Sequence, residues 1–132
     1  MHLLESGEMY IETIHVLSKK GGVVRSVDVS EHMGVSKPSV SRAIGLLKEG
    51  GYVTMARDGA LTLTEAGVEV ANKIYERHRV ITALLCALGV DPAVAADDAC
   101  RIEHVISDET VQRLESFIGC HVCDVDGENA SR

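Results

Sequence analysis

The first third of the chain alternates between stretches of helically spaced apolar residues and short breaks that contain glycine. The spacing predicts one helix over residues 6–19 and a second that begins after Ser26 and ends at Gly34. Ser36 is a typical N-cap, and Pro38 is tolerated in the first turn because its missing N–H would have no helical partner there. A third helix is therefore predicted from Ser36 to the Gly50-Gly51 pair.

Beyond the third helix the apolar period changes to that of a strand. Apolar and polar residues alternate over residues 52–55 and 61–63, and Asp58-Gly59 between them is a strong turn signal. This pattern predicts a short hairpin. Three more helices are predicted after it, over residues 64–88, 91–106 and 107–118, and residues 120–132 are expected to form a disordered tail.

This order of elements predicts a mainly α protein, with a winged helix-turn-helix DNA-binding domain in residues 1–64 and a helical domain in residues 65–119. A plain three-helix bundle is the alternative. The third helix favours DNA binding, because its exposed face combines hydroxyls and cations that suit phosphates and base edges. The predicted DNA contacts are Arg25, Ser36, Lys37, Pro38, Ser39, Ser41, Arg42 and Arg57. Arg57, at the wing tip, could also be a solvated turn residue.

The distribution of charge supports the same division. The net charge of −7 alone argues against a nucleic-acid partner. Residues 19–57, however, hold seven basic and three acidic residues, a net charge of +4, whereas residues 58–132 hold six basic and fourteen acidic residues, a net charge of −8. A basic front and an acidic back are typical of a DNA-binding protein with a separate regulatory part, although such asymmetry also arises by chance.

The sequence shows no sign of a membrane span or a secretory leader. No apolar run approaches the roughly 18 residues that cross a bilayer, and no basic, apolar and small-residue leader is found. We therefore expect a cytoplasmic protein without a membrane partner. Its four cysteines are then expected to be free thiols or metal ligands rather than a disulfide framework.

Side chains with metal-binding chemistry cluster near residue 100. In a helix, Cys100, Glu103 and His104 would share one face because they are three and four positions apart. The alternative is a core cysteine beside two partly exposed polar residues. Similar donors are found on the predicted first and fourth helices: Met9, Glu12 and His78. Together these sulfur, nitrogen and oxygen donors suit a late first-row divalent metal ion.

Four separated segments resemble the diphtheria toxin repressor family, which comprises metal-dependent repressors of the iron-repressor and manganese-transport-regulator kind. The segments are GEMYIETIHVL, GVSKPSVSRAIGLLKEGGYV, LTLTEAGVEVANKIYERHRVI and DDACRIEHVISDE. The resemblance covers residues 6–118, and the chain looks like a short form without the family's SH3-like domain. It implies that the helical domain dimerises. It also implies that divalent metal, bound between the two domains, orders a homodimer on a palindromic double-stranded DNA operator.

The same resemblance implies a set of metal ligands: Met9, Glu12, His78, Cys100, Glu103 and His104. The main site matches Met9 and the three residues near position 100, and a second site draws on His78. The chain departs from the iron branch at Thr82, where that branch has a carboxylate, and at Ala96, where it has a histidine. The second site is therefore either weakened or built through Glu12, as in the manganese branch.

The sulfur donors set the expected metal. Because Cys100 and Met9 are softer than the carboxylates of manganese-responsive members, we expect Fe(II), with Mn(II) as the second choice. Zn(II), Co(II), Ni(II) or Cd(II) could substitute in vitro. The expected function is repression of metal-homeostasis genes. An apolar stripe is predicted as the dimer contact, with intramolecular core as the alternative: Ile81, Leu84, Leu85 and Leu88.

Two other functions are alternatives to a metal-dependent repressor. One is a thiol- or redox-responsive winged-helix regulator that uses Cys100, Cys120 and Cys123. The CxxC pair could otherwise be incidental or an extra metal site. The other is a metalloenzyme with Glu103 as general base. It is disfavoured because the chain lacks a glycine-rich phosphate loop and an HExxH pattern, and because a filled ligand set leaves no position for substrate. We therefore expect no enzymatic activity.

Overall fold

The structure, a computed structural model, describes the backbone of residues 5–121 and the side chains of residues 5–119. These residues form six helices and a two-stranded antiparallel sheet. The elements are α1 (Glu5–Lys19), α2 (Ser26–Met33), α3 (Lys37–Glu49), β1 (Val53–Met55), β2 (Leu61–Leu63), α4 (Glu65–Ala87), α5 (Pro92–Ile102) and α6 (Asp108–His121). The predicted order of helices and hairpin is confirmed. Two compact units divide at residues 73 and 74, inside α4.

Local signals set the helix-turn-helix of the first unit. Gly34 ends α2 in the left-handed region, with φ +70°, where glycine is favoured because it has no Cβ. Its amide donates to the Ser30 carbonyl at 2.9 Å. Two residues later the Ser36 hydroxyl accepts a hydrogen bond from the Ser39 amide at 3.3 Å, and Pro38 lies in the first turn of α3. Gly34, Ser36 and Pro38 therefore have the roles at the helix ends that were predicted from the sequence.

The wing is the hairpin, with Val53 opposite Leu63 and Met55 opposite Leu61. Gly59 has φ +89°, which allows the tight connection between the strands. A third strand-like contact was not predicted from the sequence: the Leu61 amide donates to the Val24 carbonyl at 2.8 Å. The segment before α2 is thereby fastened to the wing.

The core of the first unit is aliphatic and includes Ile11, Ile14, Val29, Val40 and Ile44, all exposed by 1% or less. Beside this core, α4 approaches the hairpin very closely. A Cβ added at Gly67 would collide with the backbone carbonyl oxygen of Tyr52. Glycine is therefore required there for packing.

The second unit contains the end of α4 with α5 and α6. α5 ends at Ile102, four residues before the predicted end. The amides of Val105 and Ile106 both donate to the Ile102 carbonyl, and residues 103–106 form a turn that leads towards α6. The Ser107 hydroxyl then accepts from the Thr110 amide at 3.2 Å and caps α6. The expected disordered tail beyond residue 121, with Cys123, lies outside the described residues, as does the side chain of Cys120.

The predicted dimer stripe is not uniformly exposed. Ile81 is 2% exposed within the single chain, which favours the intramolecular alternative for this residue, whereas Leu88 is 71% exposed. Leu88 directly follows the end of α4, so a dimer contact along the predicted stripe would use that end. Among the described helices, none is long and apolar enough to cross a bilayer.

Candidate metal centre and nucleic-acid interface

α3 has one buried and one exposed face. Val40 and Ile44 are buried, while Lys37, Ser41 and Arg42 are exposed. Because the cap and the buried face fix the helix axis, these exposed side chains project from a rigid element. Such an element can enter a DNA major groove.

The other predicted DNA contacts at the start of α3 differ in whether their polar groups already have partners within the protein. Pro38 is exposed, but the Ser36 hydroxyl is occupied as the helix cap. The hydroxyls of Ser36 and Ser39 also share a hydrogen bond at 2.8 Å. These two serines therefore have a structural role in the turn, whatever they contact beyond it.

Arg25 is bound to the wing. Its Nε donates to the Asp58 carbonyl and its Nη2 to Asp58 Oδ2, both at 3.2 Å. Asp58 Oδ1 also accepts from the Ala60 amide at 3.1 Å, which closes the turn. Arg57, the residue before Asp58, is exposed. From the sequence, Asp58 is predicted only as a turn residue, and its contact with Arg25 is not predicted.

Glu103 lies at the centre of a cluster of metal-binding side chains in the second unit. It is fully buried, and its Oε2 lies 3.0 Å from His78 Nδ1 on α4. Its Oε1 lies 3.4 Å from Nε2 of His104, which is also buried. Cys100 Sγ lies 3.8 Å from His78 Nδ1, and donor atoms of His78, Cys100 and Glu103 all lie within 4.8 Å of one another.

The cluster differs from the predicted helix face. Cys100 is on α5 and exposed, whereas Glu103 and His104 follow the end of that helix. This turn places the Glu103 carboxylate between the imidazole of His78, on α4, and that of His104, in the turn itself. The alternative of partly exposed polar residues is wrong, because Glu103 and His104 are buried. A thiol, an imidazole and a carboxylate within this distance fit a divalent transition metal.

Met9 and Glu12 lie on α1, in the first unit. Met9 is exposed, and its carbonyl accepts a hydrogen bond from the Thr13 hydroxyl at 2.9 Å. Glu12 is partly buried. Their membership of the metal-ligand set stays a prediction.

His15 follows on the same helix, and its pKa is lowered from the ordinary value of 6.5. Burial is the main cause, because it disfavours the charged imidazolium, and the positive charge of Lys19 adds to the effect. At neutral pH His15 is therefore uncharged and adds nothing to the basic character of the first unit.

Arg77, the residue before His78, was not predicted from the sequence as part of this site. Its Nη1 donates to the Glu103 carbonyl at 2.8 Å and its Nη2 to Asp108 Oδ1 at 2.5 Å. A signal was present, because Arg77 is three residues after buried Ile74 and four before buried Ile81. An arginine on an apolar helical stripe needs a partner inside the protein.

Comparison with known proteins assigns both halves of the chain. Residues 2–61 match the family model for the iron dependent repressor, N-terminal DNA binding domain, and residues 64–129 match that for the iron dependent repressor, metal binding and dimerisation domain. The chain belongs to the iron-dependent repressor family. The resemblance to the diphtheria toxin repressor family is thus confirmed, and the matched domains are those of a transcriptional regulator rather than an enzyme.

Individual members of this family agree with the assignment. The diphtheria toxin repressor of Corynebacterium diphtheriae is 34% identical over 85% of this chain and 50% of its own length. The transcriptional regulator MntR of Escherichia coli is 33% identical over 91% of this chain and 77% of its own. The chain thus spans about half the length of the former relative.

Solved structures show the same fold. A manganese-dependent transcriptional repressor in complex with manganese is 30% identical and has a TM-score of 0.78, covering 86% of this chain and 52% of that one. The manganese regulator SloR is 28% identical with a TM-score of 0.74, covering 90% and 55%. The family models describe iron-dependent repressors and these two solved structures are manganese regulators, so the comparisons support a divalent metal without deciding which one.

Proposed function

We propose that the protein is a metal-dependent transcriptional repressor whose homodimer binds operator DNA more tightly when a divalent metal is bound. The observation that carries the proposal is the buried Glu103 carboxylate beside His78, His104 and Cys100. It is found in a chain whose first unit is a winged helix with exposed cations on α3. The family match favours this function over a thiol-responsive regulator.

The proposed ligand set is Met9, Glu12, His78, Cys100, Glu103 and His104. Geometry supports the four residues of the second unit, and the family resemblance supports Met9 and Glu12. A bound ion supplies positive charge that compensates the buried Glu103 carboxylate. Because Met9 and Glu12 are on α1, their binding to the metal would make the DNA-binding unit respond to whether the metal site is filled. Linkage of this kind typically changes DNA affinity by about 1–3 kcal/mol.

The proposed DNA contacts are those predicted from the sequence, with Lys37, Ser41 and Arg42 on the exposed face of α3 as the central ones. Two recognition helices in a homodimer would read two half-sites about 34–36 Å apart, or a multiple of that distance, which requires a palindromic operator. Such a protein would act in the cytoplasm, where operator DNA and the metal ion are both available.

The proposed physiological metal is Fe(II), with Mn(II) second. Cys100 provides a soft thiolate, and Met9 would add a thioether, whereas carboxylates and water suit Mn(II) better. Zn(II), Co(II), Ni(II) and Cd(II) also accept sulfur and nitrogen ligands, so they are expected to occupy the site in vitro.

The deciding experiment is an anaerobic DNA-binding titration with Fe(II), Mn(II) and Zn(II), each added separately. The probe is duplex DNA that the protein itself selects from a random pool in the presence of metal. We expect metal to increase affinity by about 5–150-fold, and Cys100→Ala to reduce the increase. If the wild type binds DNA equally well without metal and with each of the three metals, the protein is not a metal-dependent repressor.

Selectivity is tested with Cys100→Glu, which replaces the thiolate by a carboxylate. We expect the ratio of Fe(II) to Mn(II) affinity to fall, because a hard ligand replaces a soft one. The control is Cys86→Ser, since Cys86 is on α4 outside the donor cluster. An unchanged ratio in Cys100→Glu would mean that Cys100 does not set the metal preference.

A further inference from the structure

Arg77 links three elements of the second unit from within its interior. It lies on α4, and its side chain is 11% exposed. One terminal nitrogen donates to the Glu103 carbonyl, just after α5, and the other to the carboxylate of Asp108, at the start of α6. The two bonds bracket the turn that carries Glu103 and His104.

The bond to the Glu103 carbonyl bears directly on the metal centre. Fixing this backbone carbonyl fixes the position of the residue relative to α4, so that its carboxylate can move only by rotation of its own side chain. The neighbouring residue on α4 is His78, which lies 3.0 Å from Glu103 Oε2. Arg77 and His78 therefore hold the backbone and the side chain of the same glutamate.

A purely stabilising ion pair is a weak account of this arrangement. The Arg77 Nε is buried and makes no hydrogen bond within the described residues. Leaving a buried donor of a charged group without a bond costs free energy. Asp108 is 58% exposed, so water screens its attraction to the guanidinium. What the two bonds secure is the position of the turn.

We propose that Arg77 is a positioning residue for the metal centre, which holds the backbone of Glu103 so that the carboxylate faces His78 and Cys100. The inference rests on the proposed function, because it assumes that these side chains bind a metal. It adds a residue outside the ligand set whose loss weakens metal binding. Residues that orient metal ligands typically contribute about 10–100-fold to metal affinity.

The test is an anaerobic titration of the full chain with Co(II), followed by the sulfur-to-cobalt charge-transfer absorption that a Cys100 ligand gives. We expect Arg77→Met to weaken Co(II) binding by about 10–100-fold. Asp108→Ala should weaken it less, because the bond to the Glu103 carbonyl remains. The matched control is Arg113→Met, since Arg113 is an exposed arginine on α6. It should leave the affinity unchanged.

Thermal unfolding without metal separates positioning from general stability. Val80→Ala removes buried packing on α4 and should lower the melting temperature, while Arg77 and its partners Glu103 and Asp108 are not substituted. If Arg77→Met and Val80→Ala weaken Co(II) binding equally at equal loss of stability, Arg77 has no special role and the proposal is overturned. If Arg77→Met does not fold, Arg77→Lys and Asp108→Ala decide the matter, and unchanged affinity in both overturns it.

Failure of this inference differs from failure of the proposed function. Wild-type protein that binds Co(II) and then binds DNA, together with unaffected Arg77 variants, contradicts only the role of Arg77. Wild-type protein that gives no cobalt absorption contradicts the metal site itself, and the positioning role with it.

Discussion

Helix α3 and the turn between α5 and α6 carry the two parts of the proposed function, and they are held in place differently. α3 is bounded by Ser36 and Gly50, the residues directly before and after it in the sequence, and its cations Lys37 and Arg42 face solvent. The turn instead holds buried polar side chains, Glu103 and His104. Its partners Arg77 and His78 come from 26 and 25 residues earlier.

This difference follows from hydration. Exposed cations on α3 are solvated by water, so only the helix beneath them must be specified, and local residues specify a helix. A buried carboxylate must find its partners inside the protein, and those partners come from other elements. We therefore expect substitutions in the turn to act through long-range contacts and those on α3 to act mainly on DNA.

The largest expected effect is that of Glu103→Gln. The change keeps the size of the side chain but removes the charge that faces His78 and His104. Loss of a ligand should exceed the effect of losing an orienting residue, so we expect metal affinity to fall by more than about 100-fold. Isothermal titration with Mn(II) and Co(II) measures it.

Glu103→Gln also separates metal binding from the DNA binding expected of α3. Because the ligand cluster of the second unit does not form the α3 surface, metal-independent DNA binding by Glu103→Gln should match that of the metal-free wild type. Arg42→Ala is the converse control, which should keep its metal affinity and bind DNA more weakly. Metal affinity within a few-fold of wild type in Glu103→Gln would show that Glu103 is not a ligand.

A second prediction concerns two glycines of the first unit. Gly67→Ala places a methyl group against the Tyr52 carbonyl and should destabilise the protein by about 1–3 kcal/mol. Gly45→Ala, on α3, meets no atom within 4 Å and should stabilise by about 0.5–1 kcal/mol, because alanine favours helix. Urea unfolding measures both, and effects of the same sign would contradict the packing argument.

The sequence predicts the first unit well because its signals are local. Gly34, Ser36 and Gly59 each act within a few residues, so the helix ends and the hairpin turn can be predicted without any tertiary contact. The Val24–Leu61 bridge was missed because it joins residues far apart in the chain. Gly67 was missed for the same reason, since its constraint lies in Tyr52.

The candidate metal centre was predicted in its residue types but not in its geometry. Spacing correctly grouped Cys100, Glu103 and His104, yet a helical face was predicted where α5 ends. No local signal marks that end strongly, because neither glycine nor proline follows Ile102 directly. Arg77 contributes through bonds that span 26 and 31 residues, and helical periodicity cannot reveal such partners.

The smallest expected effect concerns Arg25, which has features of both regions. Like the α3 cations it is exposed, and like Arg77 it has a distant partner, Asp58, 33 residues away. An exposed ion pair contributes about 0.2–1 kcal/mol, so Arg25→Gln should change stability little. If Arg25 also contacts a DNA phosphate, the plot of log affinity against log salt concentration should become shallower in Arg25→Gln, its slope falling in magnitude by about one.

Asp58→Asn is the matched variant, because it breaks the ion pair but keeps the cation. We expect the salt slope to decrease in Arg25→Gln and not in Asp58→Asn, since only the former removes a charge that can replace a counterion on DNA. Similar weakening of DNA binding by both, with the slope unchanged in each, would place Arg25 with Arg77 as a residue that holds a neighbouring turn. Arg25 would then affect DNA binding only by holding the wing in place, and Arg57 at the wing tip would be the residue that contacts DNA.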